Sequence, residues 1–286
     1  MVIDMNRVKT GFCFFLFIIS FLYVKDLEKN IDVFSVLLNN KKVSIVEQVV
    51  SKRLKIVETF KDKTMFLKKE SGSEQIQTNT IIKEPIIYIF NTHQTEEYAK
   101  SAYNITPTVV TVSNILSDEL QELGIPSLVE TRDVTKEVHK RGYDYSGTYT
   151  VSLENLKFRK SKHKSLEYFF DMHRDSIVGE DARVTINGKK YATMMFLIGA
   201  NHKDYGKNLK NVKIMEKYLK NNYPGLVRET YIQKMWAYNQ WYSPKMFLVE
   251  LGGPDNTLEE VYNTSCALSK AIKYYVELEQ WGRYYY

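Results

Sequence analysis

Short apolar runs alternate with stretches of helical periodicity from about residue 81 onward. Each run has the length of a buried strand. The runs are 86–90, 166–170, 193–199 and 246–249. Between them, residues 109–123 and 207–222 carry apolar side chains at helical spacing, and Asn187-Gly188 predicts a tight hairpin. This alternation predicts a three-layer α/β/α domain with a mostly parallel central sheet.

Local signals mark where two of the helices begin or end. Thr106-Pro107 predicts a helix that has Pro107 in its first turn, and Gly124 predicts the end of that helix. The last helix is expected to start at a capping box, Thr257-x-x-Glu260. These signals are independent of the hydrophobic pattern, and they agree with it.

The first 25 residues have the pattern of an export or anchoring signal. Residues 10–24 carry no charge, and Arg7 and Lys9 precede them. As a helix this run spans about 22 Å, somewhat less than the roughly 30 Å of bilayer hydrocarbon. No small-x-small cleavage site follows, so an uncleaved single-pass anchor is favoured over a cleaved peptide, and a buried core helix is the remaining alternative. An anchor or a cleaved signal would place the rest of the chain on the extracytoplasmic side of the cell membrane.

A stalk is expected between this segment and the α/β pattern. Residues 41–70 are rich in Lys and Arg, and residues 71–80 are polar and typical of a linker. The predicted organisation is an anchor at 1–25, a stalk and linker at 26–80, and a catalytic domain at 81–286.

Composition narrows the class of protein. The 286 residues include 40 Lys and Arg against 34 Asp and Glu, a mild formal charge of +6. This balance allows an anionic partner such as a wall polymer or a lipid headgroup, and it does not indicate nucleic acid. The two cysteines exclude a disulfide framework and a cysteine-rich zinc site.

Three residues with acid–base or metal-binding side chains follow three of the predicted strands. His93 follows the run at 86–90, His173 the run at 166–170, and Glu250 the run at 246–249. In open α/β sheets the ligand crevice lies beyond the carboxyl ends of the strands, so these side chains are expected to lie together.

Their chemistry suits zinc-dependent hydrolysis. A catalytic zinc commonly takes two histidines and a carboxylate and keeps a fourth position open. We predict His93, Glu96 and His173 as ligands and Glu250 as the general base. Glu97 adjoins Glu96, and the spacing alone leaves it open which of the two is the ligand.

Neighbouring residues have supporting roles in this interpretation. Asp171 or Asp175 is expected to orient a ligand, and Arg174 to pair with a substrate carboxylate or oxyanion. Three further histidines lie in polar stretches and are predicted to be solvated: His139, His163 and His202. An aromatic cluster is either packing or a sugar or peptide platform: Trp236, Tyr238, Trp241 and Tyr242.

Several segments resemble stage II sporulation protein P, a family of peptidoglycan hydrolases. They are IYIFNTHQTEEY, FFDMHRDS, NGKKYATMMFLIG, YPGLVRETY with YNQWYSP, and FLVELGGPDNTLEE. They occur in the family's order over about residues 83–280. The sequence departs from the family pattern at Asn91, Gln94 and Glu97. It departs again at Pro254 and Asp255, which follow Gly252-Gly253.

The resemblance implies an amidase-like fold and a zinc-dependent N-acetylmuramoyl-L-alanine amidase, which endopeptidase activity could accompany. It also implies a role in septal wall thinning and engulfment, with the stage II sporulation proteins D and M as partners. The implied site falls on His93, Glu96, His173 and Glu250. Two alternatives stay open, namely a zinc carboxypeptidase and a non-catalytic wall-binding scaffold. Stem-peptide preference, oligomeric state and the mode of activation are not predicted.

Overall fold

A computed structural model describes residues 84–101 and 104–284 of the protein. The predicted anchor, stalk and linker lie outside the described residues. In the part of the chain that the structure describes, no helix is long and apolar enough to cross a membrane.

The described residues form a central sheet, a separate hairpin and five helices. The strands are β1 (Ile87–Phe90), β2 (Ser127–Val129), β3 (Tyr168–His173), β4 (Arg183–Ile186), β5 (Lys189–Ala192), β6 (Met194–Gly199), β7 (Tyr231–Gln233) and β8 (Met246–Leu251). The helices are α1 (Val109–Glu122), α2 (Val134–Lys140), α3 (Gly147–Lys162), α4 (Tyr205–Asn222) and α5 (Leu258–Tyr284).

The central sheet is mixed and mostly parallel, as predicted. Its six strands lie in the order β2-β1-β3-β8-β6-β7. The first four run parallel to one another, whereas β6 is antiparallel to β8 and β7 is parallel to β6. The carboxyl ends of β1, β3 and β8 therefore meet at one edge, and β6 begins at that same edge.

Helices cover both faces of the sheet. Ile87 and Ile89 of β1 face a large apolar cluster built with α1, α4 and α5, whereas Tyr88 and Phe90 point to the opposite face and pack against Leu156 of α3. Because alternate residues of a strand point to opposite faces, the continuous apolar runs of the sequence reflect strands that are buried on both sides. The three-layer prediction is confirmed.

Two turn signals are confirmed. Asn187 and Gly188 connect β4 to β5 with φ angles of 50° and 76°, the left-handed pair that a tight hairpin turn needs. The capping box forms reciprocally, because the Thr257 amide donates to the Glu260 carboxylate (3.0 Å) and the Glu260 amide donates to the Thr257 hydroxyl (3.2 Å).

Several element boundaries differ from the prediction. His173 is the last residue of β3 and Glu250 lies inside β8, so both belong to strands rather than following them. Pro107 precedes the N-cap Thr108 and is not in the first turn of α1. The sequence pattern did not reveal α3, since its inner side contains polar residues that give little hydrophobic periodicity: Gly147, Thr148, Ser152 and Asn155.

Candidate metal and catalytic site

A buried aspartate fixes the turn that follows β1. Asp171 accepts the Thr92 amide on one carboxylate oxygen (2.8 Å) and the Thr92 hydroxyl on the other (2.6 Å). Asn91 also ties this turn to β3, because its side-chain amide donates to the Met172 carbonyl (2.7 Å). The departure from the family pattern at Asn91 is therefore a structural tie between two strands, and it presents His93 beside His173.

The three predicted metal ligands come together at this edge of the sheet. His93, Glu96 and His173 each offer one ligand atom, and these atoms lie within 4.8 Å of one another. Glu96 is central, with Oε1 at 3.4 Å from His93 Nδ1 and Oε2 at 3.6 Å from His173 Nδ1. The rings of the two histidines stand nearly perpendicular, with centroids 4.9 Å apart.

Glu96, and not Glu97, faces the histidines. The Glu96 carboxylate accepts the Arg174 backbone amide at 2.8 Å. Burial alone would raise the pKa of Glu96, but hydrogen bonds from His173, His93 and the Arg174 amide lower it to about 2. Glu97 is exposed, and its backbone pairs with Thr108. The carboxylate in this cluster is therefore that of Glu96, ionised at any physiological pH.

Of the two aspartates proposed to orient a ligand, only Asp171 contacts one. Its Oδ2 lies 3.1 Å from His173 Nε2, on the side of the ring opposite Glu96. Burial disfavours a charge on His173, yet Asp171, Glu96 and Glu250 together raise its pKa well above the ordinary value. Asp175 instead pairs with Arg228 and accepts the Ser176 amide.

Glu250 lies next to the cluster on the neighbouring strand. It is in register with His173 in the parallel pairing of β3 and β8, so both side chains are on the same face of the sheet. Burial raises the pKa of Glu250 to about 7; the His173 charge opposes this, and Glu96 and Asp175 add to it. A carboxyl with this pKa can both take and give a proton near neutral pH.

Arg174 lies beside the site, but its contacts are local. Apart from the bond of its backbone amide to Glu96, its Nη1 donates to the Asp175 carbonyl at 3.0 Å. Its Nε is buried and has no hydrogen-bond partner among the described residues. The described residues therefore leave part of the guanidinium group without a hydrogen-bond acceptor.

An aromatic wall surrounds His93. The Tyr145 ring stacks on His93 with centroids 4.4 Å apart, and Tyr149 meets it edge-on at 5.4 Å. Tyr238 packs on Tyr149 at 5.6 Å. Sequence reasoning did not single out Tyr145 or Tyr149; the density of tyrosines in YDYSGTY, just before an unpredicted helix, is the signal that could have drawn attention to them.

The loop that carries Tyr238 is held in an unusual conformation. Tyr238 and Asn239 both have left-handed backbone angles, with φ of 47° and 61°. The Asn239 side chain donates to the Tyr149 carbonyl (2.8 Å), and Gln240 bonds to the backbone of β6. Tyr242 packs on Phe169. Only Tyr238 of the predicted aromatic cluster contacts this wall, because Trp236 and Trp241 are exposed and Tyr242 packs elsewhere.

The remaining histidines do not join the cluster. His139 is exposed on α2, where it lines a cavity of about 350 Å³ beside His93 and Tyr145. His163 and His202 are half-buried rather than fully solvated, which corrects the prediction. His163 lies 3.2 Å from Glu84, and burial lowers the pKa of His202.

The donor set fits a divalent metal ion. His93 Nε2 and Glu250 Oε2 are buried and make no hydrogen bond to the described residues, whereas His173 Nε2 faces Asp171. The carboxylates of Glu96 and Asp171 contact the histidines, and Glu250 is in register with His173. Two histidines with one carboxylate are a common set for catalytic zinc, and buried polar atoms without a partner are typical of a site that binds a ligand.

Comparison with known proteins shows the family of the chain. A family model described as Stage II sporulation protein P matches residues 19–273, which is most of the chain. The chain belongs to the stage II sporulation protein P family. Stage II sporulation protein P of Bacillus subtilis (strain 168) is 29% identical over 220 residues. The alignment covers 69% of this chain and 55% of that protein, so this family member spans little more than half the length of its relative.

Solved structures with related architecture are more distant. The CwlD amidase of Clostridioides difficile, solved in complex with the GerS lipoprotein, is 12% identical over 68% of this chain and all of that chain, with a TM-score of 0.46. The N-acetylmuramoyl-L-alanine amidase AmiC2 of Nostoc punctiforme is 11% identical over 67% of this chain and 97% of that one, with a TM-score of 0.41. A metallo-carboxypeptidase of Burkholderia cenocepacia is 10% identical, covers 72% and 60% of the two chains, and has a TM-score of 0.41. Similarities this distant say nothing about substrate or chemistry.

Proposed function

We propose that this family member is a zinc-dependent N-acetylmuramoyl-L-alanine amidase. It would hydrolyse the amide bond between N-acetylmuramic acid and the L-alanine of the stem peptide in peptidoglycan. The observation that carries the proposal is the cluster of His93, Glu96 and His173 with Glu250 beside it. Family membership supports a wall substrate, and the carboxylate with a near-neutral pKa supports a hydrolytic step.

His93, Glu96 and His173 would hold the metal. When bound, it supplies a Lewis acid that polarises the scissile carbonyl and lowers the pKa of water. Asp171 keeps the His173 ring in place through Nε2, as acidic partners of metal-ligating histidines commonly do. The Arg174 amide holds one oxygen of Glu96 in the same way.

Glu250 would move the proton. As a carboxylate it takes a proton from the attacking water, whose oxygen forms the new bond to the carbonyl carbon. The same proton then passes to the nitrogen of the L-alanine as the carbon–nitrogen bond breaks. The products are a muramic acid carboxylate and a peptide with a free amino terminus. Arg174 is assigned to the developing oxyanion or to a substrate carboxylate.

The proposal includes a place of action. An N-terminal anchor within residues 1–25 would hold the catalytic domain at the extracytoplasmic face of the cell membrane. Sporulation proteins D and M are the proposed partners, and septal wall thinning during engulfment is the proposed role. Endopeptidase activity on peptide cross-links is a further part of the proposal.

The deciding experiment identifies the products of wall digestion. Purified peptidoglycan is incubated with the full-length chain and zinc, and the products are analysed by mass spectrometry beside the Glu250→Gln variant. Intact stem peptides with free L-alanine amino termini, released from peptide-free glycan, are the expected result. Stem peptides that lose single terminal residues would indicate a carboxypeptidase instead of an amidase. Folded, zinc-loaded protein that releases nothing, alone or with proteins D and M, would indicate a scaffold.

A further inference from the structure

A second arginine, Arg228, reaches the site from the far side of β6. Its backbone amide donates to the Met194 carbonyl (2.8 Å), so this segment runs beside the start of β6. Met195, the next residue of β6, is in register with Glu250. Neighbouring strands lie about 4.8 Å apart, so roughly 10 Å separates the backbones of Arg228 and Glu250. The Arg228 side chain pairs with Asp175, which lies two residues beyond the end of β3.

Asp175 connects this arginine to the catalytic residues. Its amide donates to the Gly252 carbonyl (3.0 Å), two residues beyond Glu250, and its charge contributes to the raised pKa of Glu250. Arg174 donates to the Asp175 carbonyl from the other side. The two guanidinium groups therefore both bond to Asp175, one at its carbonyl and the other at its carboxylate.

The ion pair with Asp175 leaves some hydrogen-bond donors of the Arg228 guanidinium without a partner in the part of the chain that the structure describes. One Nη atom contacts Asp175, and Nε is buried without a hydrogen-bond partner among the described residues. The side chain is 29% exposed, so part of it is open to solvent. An arginine with unused donors suits a carboxylate on a short peptide.

We propose that Arg228 binds the free carboxylate of the stem-peptide residue that follows L-alanine. This inference rests on the amidase proposal, and it assigns the substrate class as the acidic form of that residue rather than its amide. Two extended residues span about 7 Å, which matches the reach from the scissile bond near Glu250 to a guanidinium that extends back across β6. An arginine that only held the turn would be indifferent to this carboxylate.

The test uses two soluble glycan–peptide fragments that differ in one group. Both carry L-alanine on muramic acid; one continues with D-isoglutamate and the other with D-isoglutamine. The full-length zinc-loaded chain should cleave the acid with a kcat/KM about 10- to 100-fold above the amide, the usual value of one charge-assisted hydrogen bond. Arg228→Gln should abolish this preference by lowering the rate on the acid more than the rate on the amide, and Arg228→Lys should restore part of it. Lys220→Gln, a paired cation of α4, is the matched control and should keep the preference.

Binding of the two fragments separates this inference from the amidase proposal. Titration calorimetry with the Glu250→Gln chain measures affinity without turnover. The acid should bind more tightly than the amide, and the added substitution Arg228→Gln should remove the difference. Equal affinities in the parent chain, or an equal loss for both fragments on Arg228→Gln, would overturn the role of Arg228. A clear preference in binding with no cleavage by the wild-type chain would instead overturn the amidase proposal.

Discussion

Two buried acidic clusters of this protein differ in how completely they are satisfied. Glu130, at the end of β2, accepts two backbone amides, two guanidinium nitrogens of Arg159 and the hydroxyl of Tyr88. At the candidate metal site, by contrast, Glu250 Oε2 and His93 Nε2 are buried without a hydrogen bond to the described residues. Buried polar groups are normally paired. The hydrogen bonds of the first cluster are therefore complete, whereas those of the second are incomplete, as expected of a site that binds a ligand.

The pKa shifts express the same difference. Burial would raise the pKa of Glu130, but Arg159, Tyr88 and the backbone outweigh it and lower the pKa to about 2. For Glu250 burial prevails, and its pKa rises to about 7. Glu130 therefore stabilises the fold as a permanently charged carboxylate. Glu250 does not stabilise it in this way, but it remains able to exchange a proton.

The largest effect is expected at the incomplete cluster. Glu250→Gln removes proton transfer and keeps the size of the side chain, so kcat on peptidoglycan should fall by about 10²–10⁴-fold. The metal content should stay at the wild-type level, because Glu250 is not one of the three ligands. Urea unfolding should show no loss of stability. A variant that binds metal and still turns over at the wild-type rate would rule out Glu250 as the proton carrier.

The complete cluster should respond in the opposite way. Glu130→Gln leaves Arg159 without its carboxylate, and the free energy of unfolding at pH 7 should fall by about 3 kcal/mol, the value of a pKa lowered from 4.5 to about 2. Zinc binding should be unchanged. Glu137→Gln, which removes a surface partner of Arg141, is the control and should shift the urea midpoint much less.

The difference between wild type and Glu130→Gln should depend on pH with a fixed sign. A carboxyl whose folded pKa is lowered stabilises the protein above its unfolded pKa, and that stabilisation disappears as the pH falls through the folded value. The two unfolding curves should therefore converge as the pH falls from about 5 to about 2. A gap that widened in acid would contradict the assignment.

Metal binding should stabilise the protein by a smaller amount. Zinc at a free concentration of 100 times its Kd adds about 2.7 kcal/mol to the free energy of unfolding when only the folded state binds it. This gain should disappear in His93→Ala and persist in His163→Ala, the matched control in which a histidine that faces Glu84 is removed. Equal thermal shifts in the two variants would place the metal elsewhere.

The smallest effect is expected at Glu97, which adjoins Glu96 in the sequence but has a different environment. Glu97 is exposed, so Glu97→Gln should change kcat/KM by about twofold or less. Glu96→Gln should lose metal and activity together. Both variants are measured side by side. If Glu97→Gln lost metal and activity and Glu96→Gln did not, the turn after β1 would present Glu97 to the metal instead of Glu96.

Much of this arrangement was predictable from the sequence because its signals are local. Buried strands leave continuous apolar runs, and His93, Glu96, His173 and Glu250 stand at or near the ends of three of them. The prediction placed His173 and Glu250 outside their strands because charged residues interrupt apolar runs. A functional site often violates such local rules, and here polar side chains extend the strands instead of ending them.

The rest depended on tertiary contacts. The inner side of α3 is polar where it meets Thr92 and Asn239, so neither the helix nor Tyr149 was visible from periodicity. Asp171 and Asp175 lie four residues apart and were equivalent in the sequence. Their different roles follow from tertiary contacts: Asp171 faces His173, whereas Asp175 lies in the turn after β3 and pairs with Arg228.

The left-handed pair at Tyr238 and Asn239 places stability and activity in competition. Backbone strain of this kind costs about 1–3 kcal/mol per residue, a noticeable part of the 5–15 kcal/mol that keeps a typical domain folded. Glycine at position 239 would relieve the strain but would lose the bond that ties the loop to Tyr149. Substitutions that stabilise the fold at these two positions would therefore disturb the aromatic wall. Thermostable members of this family are expected to differ at positions 238 and 239.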